Sequence, residues 1–211
     1  MHRPSPTALK DRARTLVEQM TDRARFVYAL PREEARAHLP KVLTSQGFAL
    51  RETEDAGRVA KWSNAEETVS FVVLERVDLE VTFIQGDGGD AVAPLAAVLQ
   101  ETGFFAQSTL LESAFDVGTE DAQKALLTLA HMVVAWDSDW ADLFLLHLAA
   151  PDPVVRHDAV TALTVAAMVA RDRGPAPELL AEAARRETYP KLKETIDDAR
   201  RIIAALATTP A

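Results

Sequence analysis

The chain has 211 residues, of which 48% are hydrophobic and 26% are charged, a balance typical of folded globular proteins. It contains no cysteine, which excludes disulfides, thiol catalysis and zinc sites built on sulfur. The formal net charge of −9 repels phosphate backbones, so we expect no nucleic-acid partner.

No apolar run approaches the ~20 residues that a membrane span requires, so we expect no membrane partner. The first six residues are not followed by the apolar segment that marks a secretory signal. Together these features predict a cytoplasmic protein.

The first predicted element is an amphipathic helix over residues 1–25. Ser5 and Pro6 are typical of the start of a helix, and apolar residues then recur at helical spacing from Leu9 to Ala24. The Lys and Arg side chains of this segment fall on the other side of the helix, which we interpret as a solvated face.

Residues 26–112 are predicted to form an α+β domain. Alternating apolar residues indicate a short strand at 25–30, and Pro31 begins a helix that extends to about residue 45. The further strands are predicted at about 48–53, 58–63, 68–75 and 77–84, followed by a glycine-rich turn and a helix that ends before Gly103. This order indicates a mainly antiparallel sheet packed against helices.

Two of these strands have patterns that predict their place in the sheet. The run from Phe71 to Leu74 is apolar on both sides, which is typical of a central strand. In the segment 77–84, apolar Leu79, Val81 and Phe83 alternate with Asp78, Glu80 and Thr82. That alternation predicts a strand with one buried and one exposed face.

Residues 113–211 are predicted to be entirely α-helical. The helices are expected at roughly 119–135, 138–150, 152–171, 176–187 and 190–207. A shift of 37 residues superposes the apolar positions of the third of these helices on those of the fifth: Val155 on Leu192, Ala159 on Ile196, Ala162 on Ala199 and Val165 on Ile202. The shared spacing predicts that both helices bury the same kind of apolar stripe.

The region 115–207 resembles HEAT repeats. The motif positions are present at Asp152, Val155, Arg156, Ala159, Ala162 and Leu163. The last copy departs from the motif, because Tyr189 replaces the Asp, Lys193 the Arg and Arg200 the Leu. The resemblance implies stacked helical hairpins that present a concave surface of second helices to other proteins. On that basis the candidate partner-binding residues are those placed off the apolar stripes: Arg156, His157, Lys193, Asp197, Arg200 and Arg201.

The sequence contains no pattern that predicts catalysis or a metal site. The histidines lack both the i, i+4 spacing and the H-E-x-x-H motif of helical zinc sites. No G-x-S-x-G is present, and the acidic segment 137–142 lacks the glycine of a calcium loop. We therefore predict no catalytic residue, no metal ligand and no cofactor.

These observations favour a non-catalytic protein–protein interaction module, an adaptor or regulator, whose partner is another protein. A first alternative is an acidic immunity-type inhibitor of a basic toxin or nuclease, which would present Glu75, Asp78 and Glu80 on an exposed strand face. A second alternative is a small-molecule binding domain or enzyme that uses a cleft between the two domains.

Overall fold

A computed structural model describes residues 25–87, 91–136 and 138–206 of the chain. The predicted N-terminal helix and the turn at 88–90 lie outside these residues. The chain divides into two compact units, the sheet unit Met1–Phe105 and the helical unit Ala106–Ala211. The fold class is α+β with a helical C-terminal region, as the sequence predicts.

The sheet unit contains a five-stranded antiparallel sheet. Its strands are β1 (Arg25–Pro31), β2 (Ala49–Glu54), β3 (Val59–Ser63), β4 (Ser70–Arg76) and β5 (Val81–Asp87). Their order across the sheet is β1-β5-β4-β3-β2, with every neighbouring pair antiparallel. The apolar run Phe71 to Leu74 lies in β4, which is the central strand, so that prediction is confirmed.

Two helices, α1 (Arg32–Ser45) and α2 (Val92–Thr102), share one hydrophobic core with the sheet. The core combines strand residues such as Phe71 and Ile84 with helix residues such as Leu43 and Leu99. Gly86 is required in this core, since a Cβ at that position would lie 2.5 Å from the ring of Phe26. The helix predicted to follow Pro31 is therefore observed and carries one wall of the core.

The segment 77–84 does not form the predicted strand with one buried and one solvent-exposed face. Residues 77–80 form a turn in which the Glu80 N–H donates to the Val77 carbonyl, and β5 begins only at Val81. Thr82 is only 4% exposed, although the alternation predicts that its side chain faces solvent. β5 lies between β1 and β4, and Thr82 is opposite Leu30 on one side and Glu75 on the other, so the side chains of both neighbours flank it on the same face of the sheet.

The helical unit consists of paired helices. They are α3 (Gln107–Ala114), α4 (Glu120–Ala130), α5 (Ser138–Leu148), α6 (Pro153–Ala170), α7 (Ala176–Arg186) and α8 (Pro190–Ala205). Sequential helices pack as hairpins, α3 on α4, α5 on α6 and α7 on α8, and the second helices α4, α6 and α8 pack side by side. The unit begins before the predicted boundary after residue 112 because α3 packs on α4.

The two predicted apolar stripes form much of the core between α6 and α8. Val155, Ala159 and Ala162 of α6 and Leu192, Ile196 and Ala199 of α8 are all buried. The stripe of α8 continues through Ile203, whereas Ile202, which the 37-residue shift placed on it, is 45% exposed. Three turns of a helix with 3.6 residues per turn span about 11 residues, which brings position 203 rather than 202 above Leu192.

Candidate functional site

The candidate site is a groove between the two helices of the last hairpin, α7 and α8. Its volume is about 540 Å³. The residues that line it are Arg173, Pro177, Leu180, Asp197, Arg200, Arg201, Ile203 and Ala204. The groove thus includes three of the residues that the sequence nominates for partner binding, Asp197, Arg200 and Arg201.

The spacing of residues along α8 explains why those three residues share the groove. Leu192, Ile196, Ala199 and Ile203 occupy the buried side of the helix. Residues 197, 200, 201 and 204 are spaced by three or four positions, so they form a neighbouring stripe. Leu180 and Ile203, which are almost fully buried, form the apolar floor of the groove.

Arg173 reaches the groove from the loop between α6 and α7. The indole Nε1 of Trp136 donates to the Asp172 carbonyl at 3.0 Å, and the Arg173 Nη2 donates to the Ala204 carbonyl at 2.7 Å. The guanidinium therefore lies at the C-terminal end of α8, where the helix dipole favours a cation. Within the described part of the chain, its buried Nε–H has no acceptor.

The groove is locally cationic on a chain of net charge −9. Three arginines line it against one aspartate. Asp197 lies 3.6 Å from Arg200, and Asp198, which does not line the groove, pairs with Arg201. The side chains of Arg200 and Arg201 are 50% and 79% exposed, so their N–H groups remain accessible to a further anion.

The other nominated residues lie elsewhere. Lys193 is exposed on α8 but does not line the groove. His157 lies on α6, with its Nδ1 3.4 Å from a carboxylate oxygen of Asp158. The groove is thus built by both helices of one hairpin and not by the exposed positions of α6 and α8 together.

Arg156 does not fit the expectation of an exposed contact residue. Its side chain is 19% exposed, and its Nε and Nη2 donate to the Glu187 carboxylate at 2.8 and 3.0 Å. Its Nη1 donates to the carbonyls of Ala150 and Pro151 at 2.9 and 2.8 Å. The side chain therefore joins the α5–α6 loop to the α7–α8 loop, and its contacts are internal.

Glu187 completes this internal contact, which we call the Arg156–Glu187 clamp. Its side chain is 3% exposed, and its Oε1 also accepts the N–H groups of Thr188 and Tyr189 at 2.9 and 2.8 Å. The hydrogen bonds from Arg156 are the main cause that lowers the pKa of Glu187 from 4.5 to about 2. The carboxylate is thus ionised and fully hydrogen-bonded inside the loop region.

The predicted acidic face of Glu75, Asp78 and Glu80 is not formed as a strand face. Asp78 and Glu80 lie in the turn before β5, and Asp78 pairs with Arg76. Glu75 lies in β4 with its side chain 14% exposed, and it binds both Arg32 and Arg36 of α1. These cations, chiefly the hydrogen bond from Arg32, lower the pKa of Glu75. The inhibitor alternative therefore loses Glu75 as an available carboxylate.

Sequence reasoning missed Arg173 and the clamp partner Glu187. Both side chains form hydrogen bonds with residues 31 positions away, Arg173 with Ala204 and Glu187 with Arg156. No periodicity indicates contacts between loops at that separation. The one available signal was the position of Arg173 in a polar loop with glycine, directly before a helix.

Comparisons with known proteins add no relative. No family model matches the chain, and no match was found among curated proteins or solved structures. No helix among the described residues has the length and apolar character needed to cross a membrane. The same residues contain no group of three His, Cys, Asp or Glu side chains able to hold a metal ion.

Proposed function

We propose that the chain is a non-catalytic protein–protein interaction module whose helical unit binds its partner at the α7–α8 groove. The observation that carries this proposal is the convergence of Asp197, Arg200 and Arg201 with an apolar floor in one open groove. Exposed arginines around a desolvated apolar centre are the composition expected at the centre of a protein interface.

The arrangement of the helices supports a HEAT-like module as part of this proposal. Three hairpins pack in sequence order with their second helices side by side, which is how helical repeats extend a common core. Asp152 accepts the Val154 N–H at the start of α6, so the motif residue caps the helix. The motif arginine Arg156 ties this hairpin to the next through Glu187.

The chemistry of the lining favours binding over catalysis. Arginine, proline and aliphatic side chains supply donors and apolar area, and Asp197 is the single carboxylate among the described residues of the lining. Asp197 is exposed to solvent, and its carboxylate lies 3.6 Å from Arg200. Among the described residues of the lining, no second carboxyl group or imidazole lies beside Asp197 to complete an acid–base pair.

The test is a comparison of variants by affinity purification of the tagged full chain from its native host. Arg200→Glu/Arg201→Glu should release a stoichiometric protein partner that the unchanged chain retains at moderate salt. Arg185→Glu is the matched control, because Arg185 is also an exposed helical arginine with an i, i+3 acidic partner but lies outside the groove.

Two outcomes contradict the proposal. A chain that purifies without any stoichiometric protein at low salt has no partner of the proposed kind. A partner that is retained equally by the double variant and by Arg185→Glu binds somewhere other than the groove. Circular dichroism of each variant establishes that the helical unit is intact.

A further inference from the structure

We infer that the groove between α7 and α8 recognises an acidic segment of the partner that carries at least one apolar side chain. This inference rests on the proposed function and specifies the chemistry of the bound segment. Three features of the groove carry it: its charge, its floor and the position of its donors.

The charge of the groove is opposite to that of the chain that bears it. Arg173, Arg200 and Arg201 line it against Asp197, while the whole chain carries a net charge of −9. Charge at short range selects the partner, since like charges brought together at an interface repel each other strongly. A basic segment would meet three guanidinium groups here, whereas an acidic segment finds donors for its carboxylates.

The donors of the groove come from two elements, α8 and the α6–α7 loop. Arg200 and Arg201 project from α8, and Arg173 projects from the α6–α7 loop beside Ala204. Guanidinium groups donate to carboxylates in a bidentate geometry that an ammonium cannot provide.

The floor selects for an apolar group between the carboxylates. Leu180 and Ile203 form the base of the groove, with Pro177 and Ala204 beside them. Leu180 and Ile203 are already out of water, so a leucine or similar side chain of the partner would cover the exposed apolar surface of Pro177 and Ala204 above them, which a purely polar anion would leave in water. Clusters of arginine that read acidic motifs are a known mode of peptide recognition.

Fluorescence anisotropy with labelled synthetic peptides and the full chain tests the inference. The probe is a short peptide in which glutamates surround one leucine. Its two controls replace every glutamate by lysine, or the leucine by serine. We expect the glutamate–leucine peptide to bind, the serine control to bind more weakly, and the lysine control not to bind.

Variants assign the binding to the groove. Arg200→Glu/Arg201→Glu should weaken the glutamate–leucine peptide about tenfold, since partly exposed charge pairs each contribute modestly. Arg185→Glu should leave the affinity unchanged. The double variant should also gain affinity for the lysine peptide, a reversal that misfolding could not produce. Ala204→Phe should reduce binding by filling the groove without changing its charge.

Three results would overturn the inference. The first is equal binding of the glutamate and lysine peptides, or no binding of the glutamate–leucine peptide. The second is an equal affinity of the double variant and Arg185→Glu for that peptide. The third is a single-stranded oligonucleotide that binds as tightly as the peptide, which would indicate a general polyanion site.

The failure of this inference can be distinguished from the failure of the proposed function. If the native partner depends on Arg200 and Arg201 but binds through a neutral or basic segment, the function stands and the inference fails. If no protein partner depends on these residues, the proposed function fails, whatever the peptides show.

Discussion

The Arg156–Glu187 clamp provides the sharpest test of the structural reasoning. Arg156→Met removes the guanidinium but retains a long side chain at a position that is mostly buried. The Glu187 carboxylate then stays buried without its main partner, and the carbonyls of Ala150 and Pro151 lose their shared donor. We expect the variant to destabilise the helical unit.

The size of the effect follows from the pKa of Glu187. The decrease from 4.5 to about 2 corresponds to about 3 kcal/mol at about 1.36 kcal/mol per pH unit. The pair lines an open cavity of about 400 Å³, so solvent screens part of this interaction. We therefore expect a loss of about 2–3 kcal/mol in the free energy of unfolding at neutral pH, near the lower end of the range for broken buried pairs.

Urea denaturation of the full chain measures this loss. Trp136 and Trp140 both lie in the helical unit, and Trp62→Phe as the common background removes the tryptophan of the sheet unit. The fluorescence transition then reports the helical unit alone. Arg185→Met is the control, because it breaks the exposed pair with Glu182 and should leave the midpoint nearly unchanged.

The pH dependence gives a second readout of the same clamp. A carboxyl group with a lowered folded-state pKa stabilises the fold above its unfolded pKa, and that contribution is lost as pH falls. The difference between the unchanged chain and Arg156→Met should thus be complete above about pH 4.5 and shrink towards pH 2. A loss no larger than that of Arg185→Met, or a difference independent of pH in this window, would show that Arg156 does not stabilise the ionised Glu187 in the folded chain.

Three further predictions concern other buried groups. Burial lowers the pKa of His147, whose Nε2 lies 2.7 Å from the Ala114 carbonyl. The helical unit should therefore lose stability as pH falls below about 6.5, because the unfolded chain takes up the proton first. His147→Gln should remove this pH dependence from denaturation midpoints measured across that range. Glu75→Gln should lower the thermal midpoint of the sheet unit by removing the ionic contact with α1, whereas Glu80→Gln should not, and equal midpoints would contradict the assigned contact. Gly86→Ala should cost the sheet unit about 1–3 kcal/mol in urea denaturation, since the added methyl group overlaps a ring in the core; an unchanged midpoint would show that the ring moves freely.

The clamp and the groove separate two roles that arginine has in the helical unit. Arg156 is mostly enclosed and has protein acceptors for its Nε and both Nη atoms. Arg200 and Arg201 are at least half exposed, and each forms an ion pair with a neighbouring aspartate of its own helix. Variants of Arg156 should therefore change stability, and variants of the groove arginines should change binding.

The fold class and much of the core follow from the amino-acid pattern alone. Alternation and helical spacing place four of the five strands near their observed bounds, and they also predict the central β4 and the buried stripes of α6 and α8. These patterns are readable because a side chain's direction depends on its position within its own element, with a period of two in strands and 3.6 in helices. The same local rule failed at Thr82, whose burial depends on the strands beside it.

Which polar side chains are paired and which are accessible depends on contacts between elements that are distant in the sequence. Arg156, Arg200 and Arg201 are equally plausible contact residues when only their spacing is considered. Arg156 is paired with Glu187, which lies 31 residues further along the chain in another loop. In contrast, α7 and the loop that carries Arg173 form a groove beside Arg200 and Arg201. Whether a charged side chain is paired or accessible depends on the elements that pack against it, and that information is not contained in the periodicity of its own helix.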